Sequence, residues 1–285
     1  MKKMTFWLIG ATVALTACEK AADTEVVPDN TKRVTFKVTG DFESSAFART
    51  RALDADGKTM TDLWLLDYMD GSLVQQLHKT SEDADFESPS MLLDFGNHHV
   101  YFVASRGTTP TLSTDAHKIT WTSTSDTFWQ DYSVAVTSGT SGAHAVTLGR
   151  VATKLGITIA DEIPTGTSYV QIIPSTWYYG IDYLTGLPTD AETDSPRTIN
   201  IPLAMIGTTG TSLSIFGLSG ATEWTTDVTV AAYDGDDNAI GQAAISAAPF
   251  VANRVTSYSG NLFSGAGSFG MNLNGTWNEP MEGTW

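Results

Sequence analysis

The chain has 285 residues, 16 basic and 32 acidic side chains, a net charge of −16 and a single cysteine. One cysteine allows no internal disulfide and no cysteine-based metal site, so the fold must rest on its hydrophobic core. The acidic surface repels phosphate backbones and anionic lipid heads, which excludes nucleic acid and bare membrane surfaces as partners.

The first residues read MKKMTFWLIGATVALTACEK. Two lysines precede an apolar run over 6–17 that is too short to cross a bilayer, which takes about 20 apolar residues. The run ends in Leu15-Thr16-Ala17-Cys18, which resembles a bacterial lipobox. Cleavage between Ala17 and Cys18 and lipidation of Cys18 are therefore expected. An ordinary secretory signal that happens to contain a cysteine is the other reading. Loss of residues 1–17 removes Lys2 and Lys3 and no acid, leaving 14 basic against 32 acidic side chains, a net −18. Membrane contact would then come only through acyl chains on Cys18, and stable anchoring takes more than one chain. Residues 18–32 are polar and aperiodic, as a lipidated tether would be.

From residue 33 onward, short alternating runs rich in Val, Ile, Thr and aromatics recur between Gly, Asp, Asn, Ser and Pro. That pattern predicts an all-β fold. The first half carries expected strands at 33–38, 62–68, 72–78, 90–95, 98–104, 118–122 and 132–137. Asp70-Gly71 centres an expected hairpin. SDTFWQDY reads as a short helical turn capped by Ser125 or Asp126. A Gly/Ser loop and a further strand lead to a boundary near Arg150. Beyond it, strands are expected at 151–160, 168–173, 176–183, 197–203, 212–216, 225–233, 239–246, 254–263 and 268–274, with a hairpin turn over 234–238. No internal period is visible. The reading is two tandem β-sandwiches, 33–149 and 150–285, with one larger sandwich as the alternative.

Motifs for chemistry are weak. GAGSFG at 265–270 matches a dinucleotide fingerprint, but only 15 residues follow and MNLNGTW is strand-like, so a hairpin turn is expected. DGDDN at 234–238 lacks the glutamate of a calcium loop, since its twelfth position is Ile245. His98 and His99 are adjacent and point to opposite faces of a strand, so they cannot share a metal. His78, His117 and His144 lie in unrelated segments. SGTSG near Ser141 lacks the nucleophile-elbow register. Neither an enzyme, nor a metal site, nor a cofactor is expected. Trp177 and Tyr179 share one strand face and could stack on a sugar, which would make a surface glycan-binding lipoprotein. Core packing is the preferred reading for them and for Trp64, Trp121, Trp129, Trp224 and Trp277.

TRALDADGKTMTDLWLLDYMDGSLVQQL, HHVYFVASRG, DTFWQDYSVAVT and NRVTSYSGNLFSGAGSFGMNLNGTW together resemble the fimbrillin-like lipoproteins of Bacteroidetes type V fimbriae, which include anchor and accessory subunits. The resemblance runs from the lipobox to the last strand. It implies two transthyretin-like Greek-key β-sandwich domains. It implies export as a lipoprotein to the outer membrane and assembly with other fimbrial subunits by strand addition, serving adhesion to a host or bacterial surface receptor. In polymerising members an Arg-specific protease cuts the loop after the first strand, and that strand departs with the lipid. Here the removable strand would carry Val34, Phe36 and Val38, and Arg49 or Arg51 would be the cleavage point. Two solvated loop arginines beside Glu43, Asp54 and Asp56 remain the alternative. Only GTWNEPMEGTW follows Asn274, a short tail for a stalk subunit, so stalk, tip, accessory and anchor positions all stay open.

Overall fold

The computed structural model describes residues 28–40, 60–220, 222–264 and 267–276. Strands dominate, as the alternation predicts. The first half contains β1 (Thr31–Gly40), β2 (Asp62–Met69), β3 (Ser72–Thr80), β4 (Ser90–Asp94), β5 (Gly96–Ser105), β6 (Thr111–Ser113), β7 (Lys118–Thr120), β8 (Thr127–Val136) and β9 (Ala143–Arg150). The second contains β10 (Ala152–Ile159), β11 (Thr167–Pro174), β12 (Trp177–Asp182), β13 (Pro188–Glu192), β14 (Arg197–Asn200), β15 (Thr211–Leu218), β16 (Trp224–Asp234), β17 (Ala239–Phe250), β18 (Arg254–Asn261) and β19 (Gly267–Thr276). A single 3-10 turn, Leu203–Met205, interrupts the strands among the described residues.

Turn chemistry sets the hairpins. Asp70 and Gly71 have φ of 51° and 76°, the two left-handed residues that a tight hairpin between twisted strands requires. At the second expected hairpin, Asp234 Oδ1 accepts from the backbone N–H of Asp236 and of Asn238, each at 2.9 Å, and closes the β16–β17 turn. The expected helical turn at 125–132 is a correction. Residues from Thr127 onward are β8, paired with β5 along its whole length.

Three sheets result. The first has the order β3-β2-β5-β8-β9-β1-β4 and draws only on residues 31–150. It closes on itself, because β8 meets β9 only at Phe128↔Arg150 and Trp129↔Gly149. Beyond that corner β9 pairs in parallel with β1. Val34, Phe36 and Val38 of β1, Met91 and Leu93 of β4, and Val146 and Leu148 of β9 thus share one core with Leu63, Leu65, Val100, Phe102 and Phe128 from β2, β5 and β8. The second sheet has the order β14-β11-β16-β17-β19-β18-β10-β15 and closes around a separate core that includes Leu155, Ile157, Val170, Trp177, Val230 and Phe250.

The two sheets repeat one topology. In chain order β1, β2, β3, β4, β5, β8 and β9 correspond to β10, β11, β14, β15, β16, β17 and β18, with the same neighbours and the same strand directions. β19 is the one addition, lying between β17 and β18 where the first sheet has its β8–β9 corner. The insertions of the two halves, β6–β7 and β12–β13, meet in a third sheet of order β13-β12-β7-β6. Its core of Ile119, Trp121, Ile181 and Tyr183 also takes Leu66 and Val103 from the first sandwich and Leu218 from β15. β2 is therefore buried on both faces, with Leu65 in one core and Leu66 in the other. That accounts for its apolar run over Leu63, Trp64, Leu65 and Leu66.

Candidate functional site

The sequence points to the first strand. The TKRVTFKVTG alternation places Val34, Phe36 and Val38 on one face of β1, with exposures of 1, 0 and 5%. β1 lies inside its layer. Thr31 to Thr35 pair antiparallel with β4, and Thr35 to Gly40 pair in parallel with β9. On the β4 side the ladder runs on into the preceding loop, with Phe36 N–H donating to the Pro89 carbonyl at 2.9 Å and Val38 N–H to Glu87 at 3.0 Å. Phe36 is the central plug. Phe102 meets it edge-on at 5.2 Å between centroids, and Tyr132 and His144 approach it at 6.1 Å. The rim is tied by Lys32 Nζ to the Ser138 carbonyl at 3.1 Å and by the Thr35 and Ser90 hydroxyls at 2.8 Å. Taking β1 away would leave an apolar slot between β4 and β9 with two unpaired strand edges, the arrangement that another extended strand can fill.

Cys18, the Ala17–Cys18 bond, Arg49 and Arg51 lie outside the described residues. The glycan platform is not supported by geometry. Trp177 is fully buried and Tyr179 is 6% exposed. The Trp177 ring packs edge-on against Trp224 and Phe250, and its Nε1 donates to the Phe216 carbonyl at 3.0 Å. Gly217 makes room for that ring, since a Cβ there would lie 2.7 Å from it. The Arg197 guanidinium covers the Tyr179 ring at 4.0 Å, and burial raises the Tyr179 phenol above its ordinary value. Neither aromatic offers a face to a sugar. Trp121 is core as well, 4% exposed and donating to Ser105 Oγ at 3.1 Å.

Three polar arrangements carry no sequence signal, because their partners are far apart along the chain. Arg150 grips Asp126 through Nε to Oδ1 at 2.7 Å and Nη2 to Oδ2 at 3.1 Å, while Nη1 donates to Asn253 Oδ1 at 2.9 Å. Burial raises the Asp126 carboxyl and the Arg150 charge opposes it. His98 Nδ1 stands 2.8 Å from Asp67 Oδ1 and its Nε2 2.9 Å from the Asp94 carbonyl, with both side chains at most 2% exposed. Burial raises Asp67 as well, against the pull of His98. Asp161 takes the backbone N–H groups of Leu262, Phe263 and Ser264 at 3.0, 2.8 and 2.8 Å and holds the turn leading into β19. Burial raises the Asp161 carboxyl, but these amide bonds outweigh it and leave the group below its ordinary value. Each arrangement serves packing or a turn. Among the described residues, no group of three or more His, Cys, Asp or Glu side chains could hold a metal, and no helix is long and apolar enough to cross a membrane.

No family model and no curated protein matches the chain. Solved structures do. A candidate adhesin from Bacteroides ovatus superposes with a TM-score of 0.53 and 12% identity, covering 88% of this chain and 97% of that one. A second candidate adhesin, from Bacteroides ovatus ATCC 8483, gives a TM-score of 0.50 at 9% identity over 82% of this chain and 88% of that one. The tip fimbrial protein Mfa3 from Porphyromonas gingivalis aligns over 86% of this chain and 100% of the other, with a TM-score of 0.44 and 12% identity. The all-β architecture is thus one found in Bacteroides candidate adhesins, in agreement with the fimbrillin-like resemblance of the sequence.

Proposed function

We propose that the chain is a structural subunit of a cell-surface fimbria with no catalytic role, exported as an outer-membrane lipoprotein through Cys18 and assembled by strand exchange. Its two seven-strand patterns serve as tandem transthyretin-like domains, 33–149 and 150–285. The observation that carries the reading is the position of β1, whose Val34, Phe36 and Val38 fill the first core while its backbone bridges β4 and β9. A cut after Arg49 or Arg51 would free this strand. The groove would then accept an extended strand of a neighbouring subunit, whose alternate side chains replace the three apolar ones. Support comes from the lipobox-like ending at Cys18, from the sequence resemblance, and from a fold shared with candidate adhesins. Adhesion to a surface receptor is the role assigned to the assembled fibre.

The test is limited digestion of residues 19–285 with an Arg-specific protease, read by intact mass and an unheated denaturing gel. Clean cleavage after Arg49 or Arg51 followed by heat-sensitive ladders supports a polymerising subunit. Resistance at both arginines, in a folded protein that forms no ladder with partner subunits, counts against strand exchange through β1.

A further inference from the structure

The two sandwiches differ in what lies over one face. In the first, the outer face of β3-β2-β5-β8 is roofed by the third sheet, whose core takes Leu66 and Val103 and packs Trp64, Tyr101 and Trp129. The counterpart in the second is the outer face of β14-β11-β16-β17. Among the described residues, none of its side chains enters any of the three cores. Tyr169 of β11 stands opposite Tyr233 of β16 on this face, and their rings stack with centroids 4.9 Å apart and planes 17° apart. The Tyr169 hydroxyl donates to Asp237 Oδ1 at 2.8 Å, which fixes that ring. Two residues along, the sheet reads Thr198, Gln171, Ala231 and Gln242 from strand to strand. Gln171 Nε2 donates to Thr198 Oγ1 at 3.3 Å, and Gln242 is exposed. Ala231, 3% exposed, gives a low floor between the two glutamines.

We propose that this face binds a neutral polysaccharide, with Tyr169 and Tyr233 as stacking surfaces and Gln171 and Gln242 as hydrogen-bonding partners. A pyranose ring has an apolar C–H face, which packs on an aromatic ring, and a rim of hydroxyls, which pair with amides. Each tyrosine gives one ring face to the other and keeps the second. Aromatic surface beside a few placed uncharged polar groups is the composition of a small-molecule site. A ring already held by Asp237 loses little freedom on binding. Charge selects a neutral ligand. The four strands carry one basic residue, Arg197, and its guanidinium covers the Tyr179 ring. An anionic sugar would therefore meet no cation here and a chain of net charge −16. The acids of these strands are engaged: Asp227 Oδ1 accepts the Ala247 N–H at 2.8 Å, and Asp234 closes the β16–β17 turn. The site names a receptor class for the adhesive role and rests on that reading only for its biological setting. Binding itself needs neither assembly nor a cut at Arg49 or Arg51.

The experiment is affinity electrophoresis of uncut residues 19–285 in native gels cast with mannan, galactomannan, xyloglucan or dextran, and with polygalacturonate as the anionic control. Mobility should fall with concentration of at least one neutral polysaccharide and stay constant in polygalacturonate. Tyr233→Ala should weaken that retardation about tenfold or more. Should that variant melt early, Gln242→Ala, on an exposed side chain, replaces it and should weaken binding about fivefold, the worth of one hydrogen bond. No retardation by any of the neutral polysaccharides, equal retardation by polygalacturonate, or retardation indifferent to both substitutions would each overturn the proposal. A protein that is retarded but never forms ladders keeps this site and loses strand exchange; ladders without retardation do the reverse.

Discussion

Arg150 and Asp126 form a two-pronged ion pair, 2.7 Å at its shorter arm, with the Arg150 side chain 2% exposed. The same guanidinium reaches Asn253 between β17 and β18, so one side chain ties the last strand of the first sandwich to a loop of the second. Removing one partner of a buried pair leaves the other charge uncompensated. Arg150→Ala should cost about 3–5 kcal/mol in denaturant unfolding. Arg150→Lys should recover only part of this, because an ammonium cannot reproduce the fork. An Arg150→Lys midpoint equal to that of the parent would show that the fork is immaterial.

Phe36 gives a second expectation. It is fully buried among Phe102, Tyr132 and His144, so Phe36→Ala should cost about 3–5 kcal/mol. Val74, 53% exposed on the edge strand β3, is the control, and Val74→Ala should stay within about 0.5 kcal/mol. Equal effects at the two sites would mean that β1 contributes little to the first core.

Asp161 sets a pH dependence. Its folded carboxyl lies below the ordinary value of about 3.9, so its contribution is present above that value and lost as pH falls through the lower folded one. Protection factors against amide exchange at Leu262, Phe263 and Ser264, taken relative to the intrinsic rate at each pH, should therefore fall in acid. Asp161→Ala should show the lowered protection already at neutral pH. The two proteins should converge as the pH drops, and a constant gap down to the acid limit would contradict the role given to the carboxylate.

Tyr183 works at the opposite end of the scale. Burial raises its phenol first, and the Tyr68 hydroxyl 2.9 Å away adds to the shift. A raised folded value means stability that is full below the ordinary value near 10 and lost as pH rises toward the folded one. Alkaline unfolding followed by tyrosinate absorbance should be steeper for the parent than for Tyr183→Phe. The variant should be the weaker protein at neutral pH by about 1 kcal/mol, the net worth of a hydrogen bond.

Most strands were legible because one face of each meets a core and the other meets solvent. β1 is the clearest case, and its apolar triplet is the strand face that the structure places in the first core. β8 was not legible. Phe128 enters the first core while Trp129 packs on the third, so the period of two is masked just where the strand begins. β13 reads PTDAE and β6 has three residues, too polar or too short to declare themselves. The repeated topology was invisible because it resides in neighbour order and strand direction, which no sequence period encodes. Alternation placed Val34, Phe36 and Val38 on one face and the family resemblance made that face a candidate groove, whereas Arg150, Asp126 and Asn253 find one another only after folding.

The third sheet has a mechanical meaning. In the role proposed above, the chain would be pulled from its ends. Between Arg150 and Ala152 the two sandwiches are joined by one covalent path, which alone would act as a hinge. The β7–β12 ladder, Thr120↔Gly180 through Lys118↔Asp182, adds a second path that closes a loop around that hinge. Tension applied across the two halves would have to break those rungs before they could swing apart, so the β7–β12 ladder would act as a rip-stop beside the covalent hinge.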